Sequence, residues 1–372
     1  TMYSLQKHSA KILFFLQYSN ESDTFAKKFK TMNKQGTEIA ALGEFGLIDR
    51  LTARLKRRNS STLIAAGDDA AVIDLGEEVM LLTTDMMTEG IDFDLSYFPL
   101  QHLGYKAIVR GVNDILAMNG KPEQVVVALG ISAKITVEAL DALYEGMERA
   151  AEELKVDIVG GDTTASMNGL SITISATGRA KKSDVVYRSG AKEHDLICIT
   201  SNLGAAYMGL HLLEREKRVL KDVRNPEPQF QGYEYLLERY LKPRAKSNVL
   251  EALREEGITP TAMIDLSDGL ASDLRQICRS SKCGARIYLE RIPIARQTTE
   301  LAEEMHIDPV IAALNGGEDH ELLFTVPLDK QEQIMKLGLV DVIGHITREE
   351  AGVILVTPDG EGIALKAQAF DR

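Results

Sequence analysis

Five aspartate-bearing segments, each lying where an apolar stretch runs into small residues, constrain this chain more than any other feature. They are Gly67-Asp68-Asp69-Ala70, Thr83-Thr84-Asp85, Val112-Asn113-Asp114, Gly160-Gly161-Asp162-Thr163 and Ile264-Asp265-Leu266-Ser267-Asp268-Gly269. A carboxylate at the end of a buried strand is costly unless a cation meets it. A single aspartate of this kind reads more readily as a helix cap or a turn residue than as an ion ligand. Five of them beside Gly, Ser or Thr point to one shared, oxygen-lined cleft for hard divalent ions. Ions held in this way commonly handle phosphate. In the Asp68-Asp69 pair only one carboxylate need face the ions, leaving the other to cap its turn.

The segments around these aspartates alternate between strand and helix patterns from Gly43 onward. Residues 79–82 read as a strand that delivers Thr83, Thr84 and Asp85 at its end. Residues 102–118 read as a helix and 125–129 as a buried strand. Thr136 is a plausible N-cap for a helix with Leu140, Leu143, Met147, Ala150 and Leu154 at helical spacing. A strand over 156–159 leads into a Gly-Gly-Asp turn, and Leu170, Ile172, Ile174 and Ala176 alternate as a half-buried strand. A second series follows, with a strand at 196–199, a helix led by Gly204 and an exposed loop around Asn225-Pro226-Glu227-Pro228. Beyond the Asp265 motif come a helix to Ser280, a strand over 285–289, a Gly316-Gly317-Glu318-Asp319 turn and a strand at 322–324. The class is α/β, and 372 residues suggest two domains. The composition shift at Lys181-Lys182-Ser183-Asp184 divides the chain into 37–183 and 184–372. Residues 1–36 look unlike the rest. Met32 could be the start, with an appended or alternative-start stretch before it, or the segment could be a natural helical appendage.

Net charge of −12 leaves no basic stripe for nucleic acid, and no apolar run reaches the roughly 20 residues that span a bilayer. Cys198, Cys278 and Cys283 fit neither a disulfide framework nor a zinc site, as expected of reduced thiols in the cytoplasm. Walker A, dinucleotide and protein-kinase signatures are absent, so a nucleotide here would be held mainly through metal bridges. Gly160-Gly161 would let the backbone approach a phosphate. Arg188, beside Ser189 and Gly190, could reach a transferring phosphate or form a surface ion pair. Lys106, two helical turns before Asp114, could share its face.

Taken together, these motifs make the chain resemble the thiamine-monophosphate kinase family, within the aminoimidazole-ribonucleotide-synthetase superfamily. The resemblance runs from about Gly43 to the C-terminus. It also rests on Gly43-Glu44-Phe45, Glu89-Gly90, Asn113-Asp114-Ile115-Leu116-Ala117-Met118, Arg188-Ser189-Gly190-Ala191 and Gly316-Gly317-Glu318-Asp319. It implies a two-domain, synthetase-like fold whose N-terminal α/β domain dimerises through its sheet, with a C-terminal α/β domain packed against it. The implied reaction moves the γ-phosphate of ATP onto thiamine monophosphate with several Mg²⁺ ions. Metal roles are implied for Asp69, Thr83, Thr84, Asp85, Asp114, Asp162, Asp265 and Asp268, and ATP contacts for Gly161, Asp162, Arg188 and Ser267. Substrate contacts are implied for Asp92, Glu318 and Phe370, with Arg188 and Asp114 closest to the chemistry. Many relatives carry His where this chain has Asp92, and the ending Ala369-Phe370-Asp371-Arg372 matches the family's Gly-aromatic-Asp-His only loosely.

The implied chemistry agrees with the residues. A phosphate monoester has its second pKa near 6, so the acceptor is already largely a dianion and no general base is required. The difficulty is bringing two anions together in line, which clustered carboxylates holding cations would answer. Other branches fit less well. The N-terminal half lacks the cysteine of a selenophosphate synthetase, and the chain lacks the C-terminal cysteine of the hydrogenase-maturation branch. Aminoimidazole-ribonucleotide synthetase is chemically possible, but the Glu318-Asp319 turn fits the kinase better. A non-catalytic nucleotide- or metal-binding module would tolerate partial loss of the aspartate set, yet all five sites are present.

Overall fold

The computed structural model describes residues 42–221 and 227–366. The 1–36 segment, Met32, Phe370 and part of the expected 225–228 loop lie outside them. The described residues divide into two compact units. One contains helix α1 (Gly43–Thr52). The other, Asn59–Leu365, holds two mixed sheets and the remaining helices.

The first sheet has six strands. They are β1 (Thr62–Ile64), β2 (Ala71–Asp74), β3 (Glu78–Thr88), β4 (Lys121–Ser132), β5 (Asp157–Ser166) and β6 (Ser171–Lys181), in the order β1-β2-β3-β6-β4-β5. Only the β4–β5 pair is parallel. Two long helices, α2 (Leu100–Ala117) and α3 (Val137–Leu154), cover one face. Val79, Leu81 and Met87 of β3 and Ile172, Ile174 and Ala176 of β6 point into that layer by strict alternation. They pack with Ile108, Val112 and Met147, and each such aliphatic burial contributes about 2 kcal/mol. The two helices approach closely because glycines meet backbone. A Cβ on Gly104 would stand 1.9 Å from the Leu143 carbonyl oxygen, and one on Gly146 1.8 Å from that of Gln101. Thr136 caps α3, its hydroxyl accepting from the Ala139 N–H at 3.2 Å.

The second sheet has seven strands, β7 (Leu196–Ile199), β8 (Ala262–Leu266), β9 (Gly284–Tyr288), β10 (Glu321–Val326), β11 (Asp341–Thr347), β12 (Val353–Val356) and β13 (Gly362–Ala364). Their order is β13-β12-β9-β11-β7-β10-β8. Strands β7 and β10, and β8 at the sheet's edge, are buried on both faces and read as nearly continuous apolar runs. Helices α4 (Ala205–Leu220), α5 (Glu234–Leu241), α6 (Ser247–Glu255), α7 (Leu270–Ser281), α8 (Arg296–Glu304), α9 (Pro309–Asn315) and α10 (Gln331–Leu337) surround it. α2 also touches β8, which places its C-terminal half between the two sheets.

At two of the aspartate segments the strands depart from the sequence reading. β3 does not end before Thr83 but continues to Thr88, because Thr83, Thr84 and Asp85 pair with Ala176, Ser175 and Ile174 of β6. β5 runs straight through Gly160-Gly161-Asp162, where a turn was expected. Its Gly161 pairs with Val127, and a Cβ there would lie 1.8 Å from the Val127 carbonyl oxygen. The glycine thus serves the sheet register itself.

Candidate active site

Asp69 follows the turn before β2, Asp114 lies in the last turn of α2 and Asp265 lies in β8. Each offers a carboxylate oxygen within 4.8 Å of the others. Far-apart segments therefore converge where α2 meets both sheets. Thr83 donates its hydroxyl to Asp114 Oδ2 at 2.5 Å. Asn113 holds Asp265 Oδ2 from 3.4 Å. Arg188 grips Asp69 Oδ1 through Nε at 3.0 Å and Nη2 at 2.5 Å. Its own backbone N–H donates to Asp68, which also accepts from the Asp69 N–H. Asp68 caps the turn while Asp69 faces the cluster.

Arg188 meets this group through Asp69, but one guanidinium offsets only part of the repulsion among the carboxylates. Burial, then Asp265, Asp69 and Asp85, push Asp114 well above the ordinary carboxylate range. Burial and Asp69 push Asp265 up to about 7, against Arg188 and Asn113. Asp69 is also raised by burial, though Arg188 opposes the shift. Its Oδ2, like Asn113 Oδ1, is buried with no hydrogen-bond partner among the described residues. An all-oxygen donor set with an orphaned buried oxygen and mutually repelling carboxylates fits a hard divalent cation such as Mg²⁺.

A second charged group adjoins the first along α2. Lys106, fully buried, meets Glu318 Oε2 at 2.8 Å, donates to the Tyr240 carbonyl at 3.0 Å and lies 4.1 Å from the Tyr240 ring centroid. Arg110 donates from Nε to Asp85 Oδ2 at 2.6 Å and from Nη1 to Asp92 Oδ1 at 3.0 Å. Burial acts to raise Glu318, but Lys106, His320 and Arg110 outweigh it and hold its carboxyl well below the usual range. Glu318 and His320 both have positive φ, +62° and +50°, a conformation that costs non-glycine residues about 1 kcal/mol or more. The Glu318 and His320 N–H groups bond the Ser267 and Leu266 carbonyls, continuing the β8–β10 pairing past the strand end. The strain therefore aims Glu318 at Lys106.

Other named residues stand elsewhere. Alternation puts Thr84 on the opposite face of β3 from Thr83 and Asp85, where it shares a 3.1 Å hydrogen bond with Ser175. Gly161 and Asp162 lie on exposed β5, and Asp162 accepts from the Thr163 N–H. Asp268 is exposed at the entry to α7, with its N–H on Asp273 Oδ2 at 3.2 Å. Ser267 is half-buried beside it.

Arg110 and Asp273 escaped the sequence reading. Asp273 is buried in the first turn of α7, and burial together with Asp268 and Asp265 raises it well above its ordinary value. Helical spacing could have exposed Arg110, since Lys106, Arg110 and Asp114 stand four residues apart.

Two sheets meeting at a carboxylate cluster define the class. Residues 67–180 match the family model "AIR synthase related protein, N-terminal domain", and residues 193–357 match its C-terminal counterpart. Thiamine-monophosphate kinase of Buchnera aphidicola subsp. Schizaphis graminum is 33% identical over 88% of this chain and 98% of its own. The Escherichia coli K12 thiamine-monophosphate kinase is 32% identical over 89% and 98%. A solved structure, "AaThiL complexed with AMPPCP and TMP", superposes with a TM-score of 0.76 at 29% identity, covering 89% of this chain and 97% of that one. The chain belongs to the thiamine-monophosphate kinase family.

Proposed function

We propose that this protein transfers the γ-phosphate of ATP to the phosphate of thiamine monophosphate, giving thiamine diphosphate and ADP. The convergence of Asp69, Asp114 and Asp265 beside Arg188 carries the reading. Mg²⁺ bound there would draw the triphosphate and acceptor oxygens together and neutralise them. An acceptor-phosphate oxygen attacks the γ-phosphorus in line, the bond to the bridging oxygen breaks, and ADP departs with that electron pair. Asp85, Asp162 and Asp268, with Thr83, complete the proposed ion set, and Gly161, Asp162 and Ser267 the nucleotide contacts, while Thr84 faces away on the other side of β3. Arg188, fixed along one edge by Asp69, adds positive charge. Glu318 takes the organic body of the acceptor, helped by Phe370, and Asp92 serves the acceptor's phosphate end. In this reading 37–183 supplies most of the ion site and 184–372 the acceptor side.

An ADP-release assay with Mg²⁺, comparing thiamine monophosphate, free thiamine and an aminoimidazole precursor, tests this. ADP should appear only with thiamine monophosphate. Release only with the aminoimidazole precursor, or nucleotide binding without any release, would overturn it.

We also propose that two copies pair through the face of the first sheet opposite α2. Leu82, Met86 and Val126 there are 39–56% exposed, among hydroxyl-bearing Thr84 and Ser175. Light scattering should give a dimer, and Met86→Glu should shift it towards monomer. The three cysteines are free, as thiols in a reducing cytoplasm would be, and no described helix is long and apolar enough to cross a membrane.

A further inference from the structure

One face of α2 runs from the proposed acceptor pocket to the proposed ion site. Lys106 at one end binds Glu318, and Asp114 at the other joins the carboxylate cluster. Arg110 stands between them. Its guanidinium touches Asp85 at 2.6 Å on the ion side and Asp92 at 3.0 Å, and stands 3.7 Å from Glu318 on the acceptor side. An acceptor whose body reaches Glu318 while its phosphate reaches the ions must lay that phosphate across this boundary. The Arg110 side chain is 13% exposed, so it is largely desolvated yet still reachable. A guanidinium in such a place matches phosphate oxygens in a planar fork that an ammonium cannot supply.

Asp92 is placed to serve Arg110. Its Oδ1 accepts from Arg110 and its Oδ2 from the Thr88 N–H at 2.8 Å. Its own N–H bonds the Thr88 carbonyl, and its carbonyl accepts from Tyr240 Oη at 3.2 Å. Backbone and side chain are thus both fixed, with one carboxylate oxygen turned to the guanidinium. The bonds to Asp85 and Asp92 use Nε and Nη1 and hold the guanidinium in place, which leaves Nη2 to donate to a phosphate oxygen.

We propose that Arg110 is a specificity residue that reads the acceptor's phosphate, and that Asp92 stands behind it as a positioning residue. The inference rests on the thiamine-monophosphate reading above. An acceptor without a phosphate gains nothing from Arg110. The pair therefore separates a phosphorylated acceptor from its free alcohol before any transfer occurs.

Calorimetric titration with Mg²⁺ but no nucleotide reads this without turnover, using thiamine monophosphate and free thiamine as probes on the full chain. Arg110→Met should weaken thiamine monophosphate by about tenfold or more while moving thiamine by less than about twofold. Asp92→Asn should lose affinity in the same selective way, and adding it to Arg110→Met should cost little more. Under turnover, KM for thiamine monophosphate should rise more than kcat falls. If Arg110→Met fails to fold, Arg110→Lys keeps the charge and should still lose part of the discrimination. Equal weakening of both probes, or undiminished discrimination in the variants, would overturn the inference while leaving the kinase reading standing. Wild-type protein that binds neither probe and releases no ADP would remove both.

Discussion

Asp114 shows how function and stability oppose each other within one side chain. Burial and three neighbouring carboxylates raise its pKa, so in the ion-free protein its charge is a burden. Asp114→Asn should lower kcat by about 10²-fold or more while leaving metal-free stability unchanged or raised by about 1 kcal/mol. Steady-state kinetics beside a urea melt in EDTA checks it, and a collapse of the fold would make Asp114 structural. Lys106 is the opposite case. It is the buried partner of Glu318, and Lys106→Met would leave that carboxylate without its ammonium. The loss should be about 3 kcal/mol, and adding Glu318→Gln should restore part of it. A Lys106→Met protein as stable as wild type would show that the pair holds nothing together. Asp114 was legible from its motif, whereas Lys106 was read only as a helper of Asp114, because its partner lies far along the chain.

Helices were read more closely than strands. The expected helix over 102–118 is α2 at Leu100–Ala117, since apolar spacing is a local signal. β3 and β5 were cut short because Thr-Thr-Asp and Gly-Gly-Asp look like strand ends in isolation. Cross-strand partners kept both segments extended, and β3's alternation then sent Thr83 and Asp85 to one face and Thr84 to the other. The contact between α2 and α3 depends on glycine, so Gly146→Ala should cost about 1–3 kcal/mol by forcing the helices apart. Chemical denaturation reads the loss, and an unchanged midpoint would mean that the helices shift without penalty.

Across the whole protein, the raised carboxylates make ion-free stability depend on pH. Asp265 moves from 3.8 to about 7 and Asp68 from 3.8 to about 6 on folding. Between those values the folded chain keeps protons that the unfolded chain has released. Stability in EDTA should therefore fall as pH rises from about 4 to about 7. Mg²⁺ should restore it, and should stabilise more at pH 8 than at pH 5, where it must displace bound protons. Thermal melts with EDTA or Mg²⁺ test both signs. A flat EDTA profile would show that the carboxylates do not crowd one another in solution.

Local order in the chain was enough to specify the class. Aspartates beside small residues, strands alternating with capped helices and the absence of a glycine phosphate loop all act over a few neighbouring residues. The pairing of charges lay beyond that reach. Arg110 met Asp85, Asp92 and Glu318, and Lys106 met Glu318, because α2 was wedged between two sheets built from distant segments. Ion pairing depends on distance in space and on exclusion of water, and neither exists until the sheets close around the helix.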